Sequence, residues 1–359
     1  MNAEPTGFDR AALVAALQAW DLSITALRYL PLGAGSHHYL ATDSTGTQWF
    51  VTVDVLEWKL YGTFGPTFEP WVDIDLESGL DGLDRAFRTA VALRDGGLEF
   101  VHAPIARPDG GVLARLGDDY AVSVFPLIEG VSHWHDDRDR PRLLGAVGRL
   151  HAATDTVPPE LPRRDSLTVP IRSRLFASLD DLHAPWKDGP YGESARLLLR
   201  DKESLVRDLF YRADELADEV REAKAPWVIT HGQLHAANIL RGKGGVPILI
   251  DWDCVAIAPR ERDLGRHWGR LAEPKTAEDW AAYTSAGPDA GLDAAAVDLY
   301  WHIGILWDVC VSTGALRSRH VDDPDTRHLW TMLQSVLNEA ADAPRLTTPE
   351  ASGREAAPQ

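Results

Sequence analysis

Thr230-His231-Gly232-Gln233-Leu234-His235-Ala236-Ala237-Asn238-Ile239-Leu240, followed by Pro247-Ile248-Leu249-Ile250-Asp251-Trp252-Asp253, is the stretch on which the fold turns. A polar loop lies between two apolar, strand-like runs, residues 227–230 and 247–251. The loop presents His231, Gln233 and Asn238 together, and Asp251 closes the second run. Side chains from both places can converge on one point in space. Convergent oxygen ligands are what a hard cation such as Mg2+ requires.

Outward from this stretch the chain changes character. Residues 9–20 carry Leu13, Val14, Leu17 and Trp20 at helical spacing, which predicts a short amphipathic helix. Residues 24–31, 39–42 and 48–55 are runs rich in β-branched and aromatic side chains, separated by Gly33-Ala34-Gly35-Ser36 and by residues 43–46. They predict a small antiparallel sheet, completed by residues 101–104, 111–115 and 120–126. Residues 60–80 have no clear period and read as a loop leading into a helix over 83–94. Beyond, apolar spacing is mainly helical over 140–153, 173–182, 192–223 and 293–337. The expectation is α+β: a strand-rich first lobe over 1–125, a helical second lobe over 126–343, and a disordered tail over 344–359.

With 359 residues, the chain is long enough for two modest domains or one bilobal unit. No window approaches about 20 uninterrupted apolar residues, and the first eight lack a secretory pattern, so no membrane partner and a cytoplasmic address are expected. Cys254 and Cys310 alone make neither a disulfide framework nor a thiolate zinc site. A net charge of −18 disfavours a nucleic-acid partner and favours a cationic ligand near acidic clefts.

The His-Gly-Gln-x-His-x-x-Asn run, the Ile-Asp-Trp-Asp run and Pro259-Arg260-Glu261-Arg262-Asp263-Leu264 resemble the phosphotransferase family of aminoglycoside, spectinomycin and choline kinases, whose loop reads His-Gly-Asp-x-His-x-x-Asn. The last two runs look most like the spectinomycin branch, and the similarity spans about residues 20–340 once the hinge-like 122–130 and 148–152 are included. The resemblance implies a bilobal, protein-kinase-like fold that moves the γ-phosphate of ATP or GTP to a hydroxyl. Asp251 would bridge metals on the phosphates and Asn238 would hold one of them. Taken singly, the first reads as a strand-end cap and the second as a loop residue bonding its own backbone; their joint spacing favours the metal. Gly33, Gly35 and Ser36 would approach phosphate, and Phe125 and Leu127 would border the base ring, although glycines between strands also serve as plain turns.

Two departures bear on activity. Where the family has the proton-accepting Asp, this chain has Gln233, which can orient a hydroxyl but cannot take its proton. General-base help is worth roughly 10²–10⁴ in rate, less than the whole effect of a kinase site. Asp253 lies close enough in sequence to contact the acceptor or substitute as base, and His231 would hold the loop. The strand that carries a phosphate-binding Lys in kinases reads Trp49-Phe50-Val51-Thr52-Val53-Asp54, and the following helix offers Arg85 and Arg88 instead of Glu. Arg88 or Lys59 is left to supply the charge. Asp263 reads as a structural bond to the loop, while Glu261 and Asp308 are open to an acidic acceptor cleft. His133-Trp134-His135-Asp136 lacks further ligands at zinc spacing and reads as a polar loop; Trp268, Trp301 and Trp307 read as packing.

The leading expectation is a Mg2+-dependent kinase acting on a small polar metabolite or antibiotic, with a peptide hydroxyl also open. The alternative is a non-catalytic, kinase-fold binding protein.

Overall fold

The computed structural model describes residues 4–5, 8–33, 35–56, 59, 76–129, 132–134, 139–169, 172–265, 272–288 and 291–342. Helix α1 (Arg10–Leu17) begins where the Asp9 carboxylate accepts the Ala12 N–H at 2.9 Å, and it runs into a 3-10 turn ending at Trp20. It covers one face of an antiparallel sheet with strand order β1-β2-β3-β5-β4: β1 (Ile24–Leu30), β2 (Ser36–Asp43), β3 (Gln48–Val55), β4 (Ala114–Leu116) and β5 (Tyr120–Pro126). Register alternation divides the side chains. Tyr39, Ala41, Val51, Val53, Val122 and Val124 pack with Leu13, Leu17 and Trp20 of the α1 segment. The opposite face, in register across three strands, carries Ser36 with Asp54, His38 with Thr52, and Thr52 with Ser123. That second face looks into the cleft.

Helix α2 (Leu76–Asp95) fastens the sheet to the rest of the chain. Its Leu83 and Phe87 pack on Leu56, Ala121 and Phe125, while its Ala86, Ala90 and Leu93 join a second core with Val101, Leu143, Leu150, Leu249 and Trp252. Burying such side chains contributes roughly 1.5–3 kcal/mol each before conformational entropy is subtracted. Residues 101–104 do not extend the sheet, contrary to expectation. Val101 instead bridges Leu249 in parallel, so this segment ties the first lobe to the apolar run ahead of Asp251.

The second lobe is built from α3 (Arg140–Ala152), α4 (Arg172–Asp180), α5 (Gly192–Asp201), α6 (Glu203–Ala223), α7 (Glu261–Leu264), α8 (Ala277–Thr284), α9 (Ala294–Arg317) and α10 (Pro324–Asp342). The predicted helix over 192–223 is broken at Lys202, and that over 293–337 after Arg317, where Ser318 leaves helical backbone and Pro324 restarts it. Helix α9 is long and apolar enough to cross a membrane by composition, which the sequence reading did not anticipate. Here Leu299, Ile305, Leu306, Val309 and Leu316 are buried against the other helices of the lobe. The runs around 228 and 248 lie in different small sheets: β8 (Val228–Thr230) pairs with β11 (Ala256–Ala258), which also pairs with β7 (Arg163–Arg164), and β10 (Pro247–Leu249) pairs with β9 (Ile239–Arg241), which pairs in turn with β6 (Ser132–His133). Both runs point their ends at one place. Of the predicted loop over 60–80, residues 76–80 are instead the first turns of α2, which starts ahead of the expected 83–94; residues 60–75, His135, Asp136, Trp268 and the tail over 344–359 lie outside the described residues.

Candidate active site

The loop after β8 is held from beneath by one carboxylate. Asp263 accepts the His231 N–H at 2.8 Å and the Gly232 N–H at 2.6 Å, and His151 Nε2 lies 3.2 Å away. Burial alone would raise this carboxyl, but the bond to His151, the nearby imidazoles and the Gly232 amide outweigh it and hold it below the usual range. The structural role expected of Asp263 is therefore what its geometry supplies. His151 itself is fixed through Nδ1 by the Tyr283 hydroxyl at 2.8 Å. That contact needs α3 and α8 to touch closely, which Gly148 allows: a Cβ there would meet the Tyr283 carbonyl at 2.3 Å.

His231 is fully buried and neutral, its pKa lowered by desolvation. Its Nδ1 accepts the Gln233 N–H at 3.2 Å, so Nε2 carries the proton and donates to the Ile250 carbonyl at 2.9 Å. This one ring joins the loop to the segment carrying Asp251, which lies two residues beyond the end of β10 and not at a strand end as expected. Gly232 adopts φ +88°, and a Cβ would lie 2.3 Å from the Arg262 guanidinium, so both backbone and space require glycine. Arg262 in turn donates to Thr230 Oγ1 and the Cys254 carbonyl and pairs with Asp165.

Asn238 is buried, and its Nδ2 lies 3.2 Å from the Gln233 carbonyl, 3.4 Å from Gln233 Oε1 and 3.2 Å from His235 Nε2. It also hydrogen-bonds Asp251. With the amide nitrogen so engaged, Oδ1 is the atom left for a cation. His235, to which sequence reasoning gave no role, supports this orientation; burial lowers its pKa to about 4, so the ring stays neutral.

Asp251 sits in the left-handed region at φ +65°, rare for a non-glycine residue and typical of strained functional positions. Its side chain is open to solvent at the cleft, yet protein encloses it on the other sides and Asp253 adds negative charge; both effects push its carboxyl up, toward about 7. Asp253 is lowered, because Lys59 outweighs its burial. Lys59 Nζ lies 2.7 Å from Asp253 Oδ2 and 3.0 Å from Asp54 Oδ1, and these charges with Asp251 raise it well above an ordinary lysine despite its burial.

Of the two cations considered from sequence, Lys59 is thus in the cleft and Arg88 is not: Arg88 is half exposed, 3.7 Å from Asp84. Arg85 donates to the Leu161 carbonyl. Thr52 faces the cleft beside His38, and Val53 faces the α1 core. Gly33 and Gly35 both have positive φ in the β1–β2 turn, and Ser36, where β2 begins, donates its hydroxyl to Asp54 at 2.7 Å. The turn therefore reaches the same acidic cluster. Phe125 closes the sheet end of the cleft, packed on Phe87 and 5.4 Å from the His102 ring, with half-buried Leu127 just beyond β5. Glu261 does not face an acceptor cleft: it is buried and accepts the Asp293 N–H at 3.0 Å. Asp308 lies on α9, where Glu339 of α10 acts on it electrostatically. Trp301 packs against the helical core and donates toward Glu339.

Among the described residues, no group of three or more His, Cys, Asp or Glu side chains closes around a metal position. The donor set nevertheless suits Mg2+, which takes one or two carboxylates and completes its shell with water and phosphate oxygens. Asp251 and the Asn238 Oδ1 supply hard oxygens, and the buried Asp253 Oδ1 beside them has no hydrogen-bond partner among the described residues.

Residues 27–302 match the model of a family described as "Phosphotransferase enzyme family". No curated protein matches the chain. The structure is similar to that of a spectinomycin phosphotransferase solved with ADP and spectinomycin, at 17% identity and TM-score 0.67, covering 94% of this chain and 98% of that one. It is also similar to an amicoumacin kinase solved with AMP-PNP and Ca2+, at 13% identity and TM-score 0.55 over 92% and 94% of the two chains. A choline kinase from Streptococcus pneumoniae superposes at 14% identity and TM-score 0.52 over 92% and 98%. At these identities the likeness establishes the fold, an N-terminal antiparallel sheet joined to a helical C-terminal part, as the sequence motifs implied.

Proposed function

Because the chain belongs to the phosphotransferase enzyme family, we propose that it transfers the γ-phosphate of ATP or GTP, with Mg2+, to a hydroxyl of a small polar metabolite or antibiotic. The observation that carries this reading is the convergence of Asn238 and Asp251, from two different segments, around an acidic cleft that the glycine turn overhangs. Bound Mg2+ would neutralise charge on the phosphates. Everything else falls to the chain's own groups.

Phosphoryl transfer asks the protein mainly for position and charge, because the loose transition state needs little proton removal early on. Gln233 is on the loop beside Asn238, where its amide can hydrogen-bond and aim an acceptor hydroxyl. His231 keeps that loop in register with Asp251. Asp253 is the candidate for receiving the proton late in transfer, although its ion pair with Lys59 keeps it a weak base. The acidic chain suits an acceptor carrying positive charge.

Isothermal titration of Mg2+-ATP and Mg2+-GTP into the protein and into Asp251→Ala tests the reading before any acceptor is known. Metal-dependent binding lost in the variant is expected. Equal binding by both proteins would remove Asp251 from the site and the reading with it. A non-catalytic binding role is the second reading, favoured by one observation: an amide at position 233 has no basic oxygen.

A further inference from the structure

A buried ammonium in a cleft meant for phosphate requires an account. Lys59 Nζ is held at 2.7 Å by Asp253, from the second lobe, and at 3.0 Å by Asp54, the last cleft-facing side chain of β3. Asp54 is 1% exposed, and the same Oδ1 accepts the Ser36 hydroxyl beside the glycine turn. Asp54 Oδ2 and Asp253 Oδ1 are buried without hydrogen-bond partners among the described residues. The ion pair is therefore incomplete on both carboxylates. A buried pair left in that state costs desolvation that an apolar packing would avoid, so it is poor evidence for a purely stabilising role.

The charge arrangement suggests what it does. Protein kinases set one strand Lys against a helix Glu, a metal-binding Asp and a base Asp, leaving two net negative charges. Here one Lys59 stands against Asp54, Asp251 and Asp253, again leaving two, although Thr52 and Gln233 stand in place of the strand Lys and the base, and the one Glu of α2, Glu77, is exposed and paired with Arg115. Thr52 is on the cleft face two residues before Asp54, so a lysine removed from 52 and a carboxylate gained at 54 occupy the same patch of sheet. Three such residues are lost from the cleft and three, Lys59, Asp54 and Asp253, are gained, so the charge balances.

We infer that Lys59 is the phosphate-contacting cation of this site and that Asp54 is its positioning residue, the Lys59–Asp54 pair standing in for the strand-Lys and helix-Glu pair. The inference rests on the proposed nucleotide site. On nucleotide binding, the ammonium exchanges part of its contact with Asp253 for a phosphate oxygen while Asp54 keeps it beneath the glycine turn. No bond is made or broken in that exchange.

Titration calorimetry of Mg2+-ATP into Lys59→Met, Lys59→Arg and Lys59→Met/Asp54→Asn tests it, with Asp251→Ala alongside and thermal unfolding as a check on each fold. The double variant removes one of the carboxylates that Lys59→Met would strand. Loss of one charge-assisted bond predicts about 10- to 100-fold weaker binding in both methionine variants, and recovery of most of it in Lys59→Arg. Unchanged binding in a folded methionine variant overturns the inference. Tighter binding overturns it too, since that is how an ammonium occupying the metal's place would behave. Where the wild type binds and Asp251→Ala does not, either of those outcomes leaves the proposed function standing; a wild type that binds no nucleotide removes both. If neither methionine variant folds, Lys59 serves the joint between lobes and the inference is withdrawn.

Discussion

Replacing Asp263 by Asn tests whether the loop is held as the geometry implies. The carboxylate is fully buried and takes two backbone N–H groups, one on each oxygen, while His151 approaches the second oxygen. An asparagine keeps one acceptor and turns an NH2 toward one of those donors. One buried backbone N–H is then unsatisfied, and the new amide faces a donor instead of an acceptor. At about 1–3 kcal/mol for each of the two stranded groups, the loss should be on the order of 2–6 kcal/mol. His231 would also shift, loosening its link to the Ile250 carbonyl and so to Asp251. Urea unfolding followed by tryptophan fluorescence measures the first effect, and nucleotide titration the second. Asp218→Asn, whose carboxylate pairs only with exposed Arg221 among its bonds described here, serves as a surface control expected to change stability by less than about 0.5 kcal/mol. A change in Asp263→Asn no larger than the control would refute the account of the loop.

Asp308 gives a pH test away from the cleft. Its carboxyl is raised to about 7 by burial and by Glu339, so the folded state favours the protonated form; the associated stability is complete below the unfolded carboxylate range near 4 and is lost as pH rises through 7. Asp308→Asn should therefore stabilise the protein at pH 8, on the order of 2 kcal/mol after allowance for solvent at a half-buried site, and leave it unchanged at pH 4. Equal thermal shifts at both pH values would contradict the assignment. Gln233→Asp restores a basic oxygen on the loop, and single-turnover phosphoryl transfer should quicken by up to roughly 10²–10⁴ if proton acceptance limits the wild type. No change in rate would mean that position 233 only orients the acceptor.

The sheet and the long helices were legible because each buries one face, which writes period 2 or 3.6 into the sequence. What failed was local. The segment 101–104 is apolar because it lies in the joint with Leu249, and apolar residues read alike whether they pair in the sheet or beside it. The helix break at Lys202 is a single residue and left no mark in apolar spacing, whereas the break after Arg317 was marked by the largely polar run 318–323 ahead of Pro324. Strands β6, β7, β9 and β11 are two or three residues long, too short to show any period. The two apolar runs flanking the polar loop form strands over Val228–Thr230 and Pro247–Leu249, the second stopping short of Asp251, and which partner each takes is decided by contacts distant in sequence.

The site divides along a similar line. Residues that act within one loop or its neighbour, His231, Gln233, Asn238 and Asp251, could be singled out from spacing because a short loop fixes their relative positions. Lys59 could be named only as one of two spare cations beside Arg88, since its partners are 5 and 194 residues away and nothing local marks it. One signal was available: Asp54 is the one charged residue of a strand whose other side chains are apolar apart from Gln48 and Thr52, and a charge there is expensive unless something pairs it. Taken as a demand for a cation, Asp54 would have favoured Lys59 over Arg88, since Lys59 is the next lysine along the chain and the only one between Met1 and Lys187. The same argument applies to Asp253, a second buried carboxylate whose need for positive charge no neighbour in its own segment meets. Two unmet negative charges on opposite lobes and one lysine within reach of both are a stronger constraint than the strand position at which a lysine is customary.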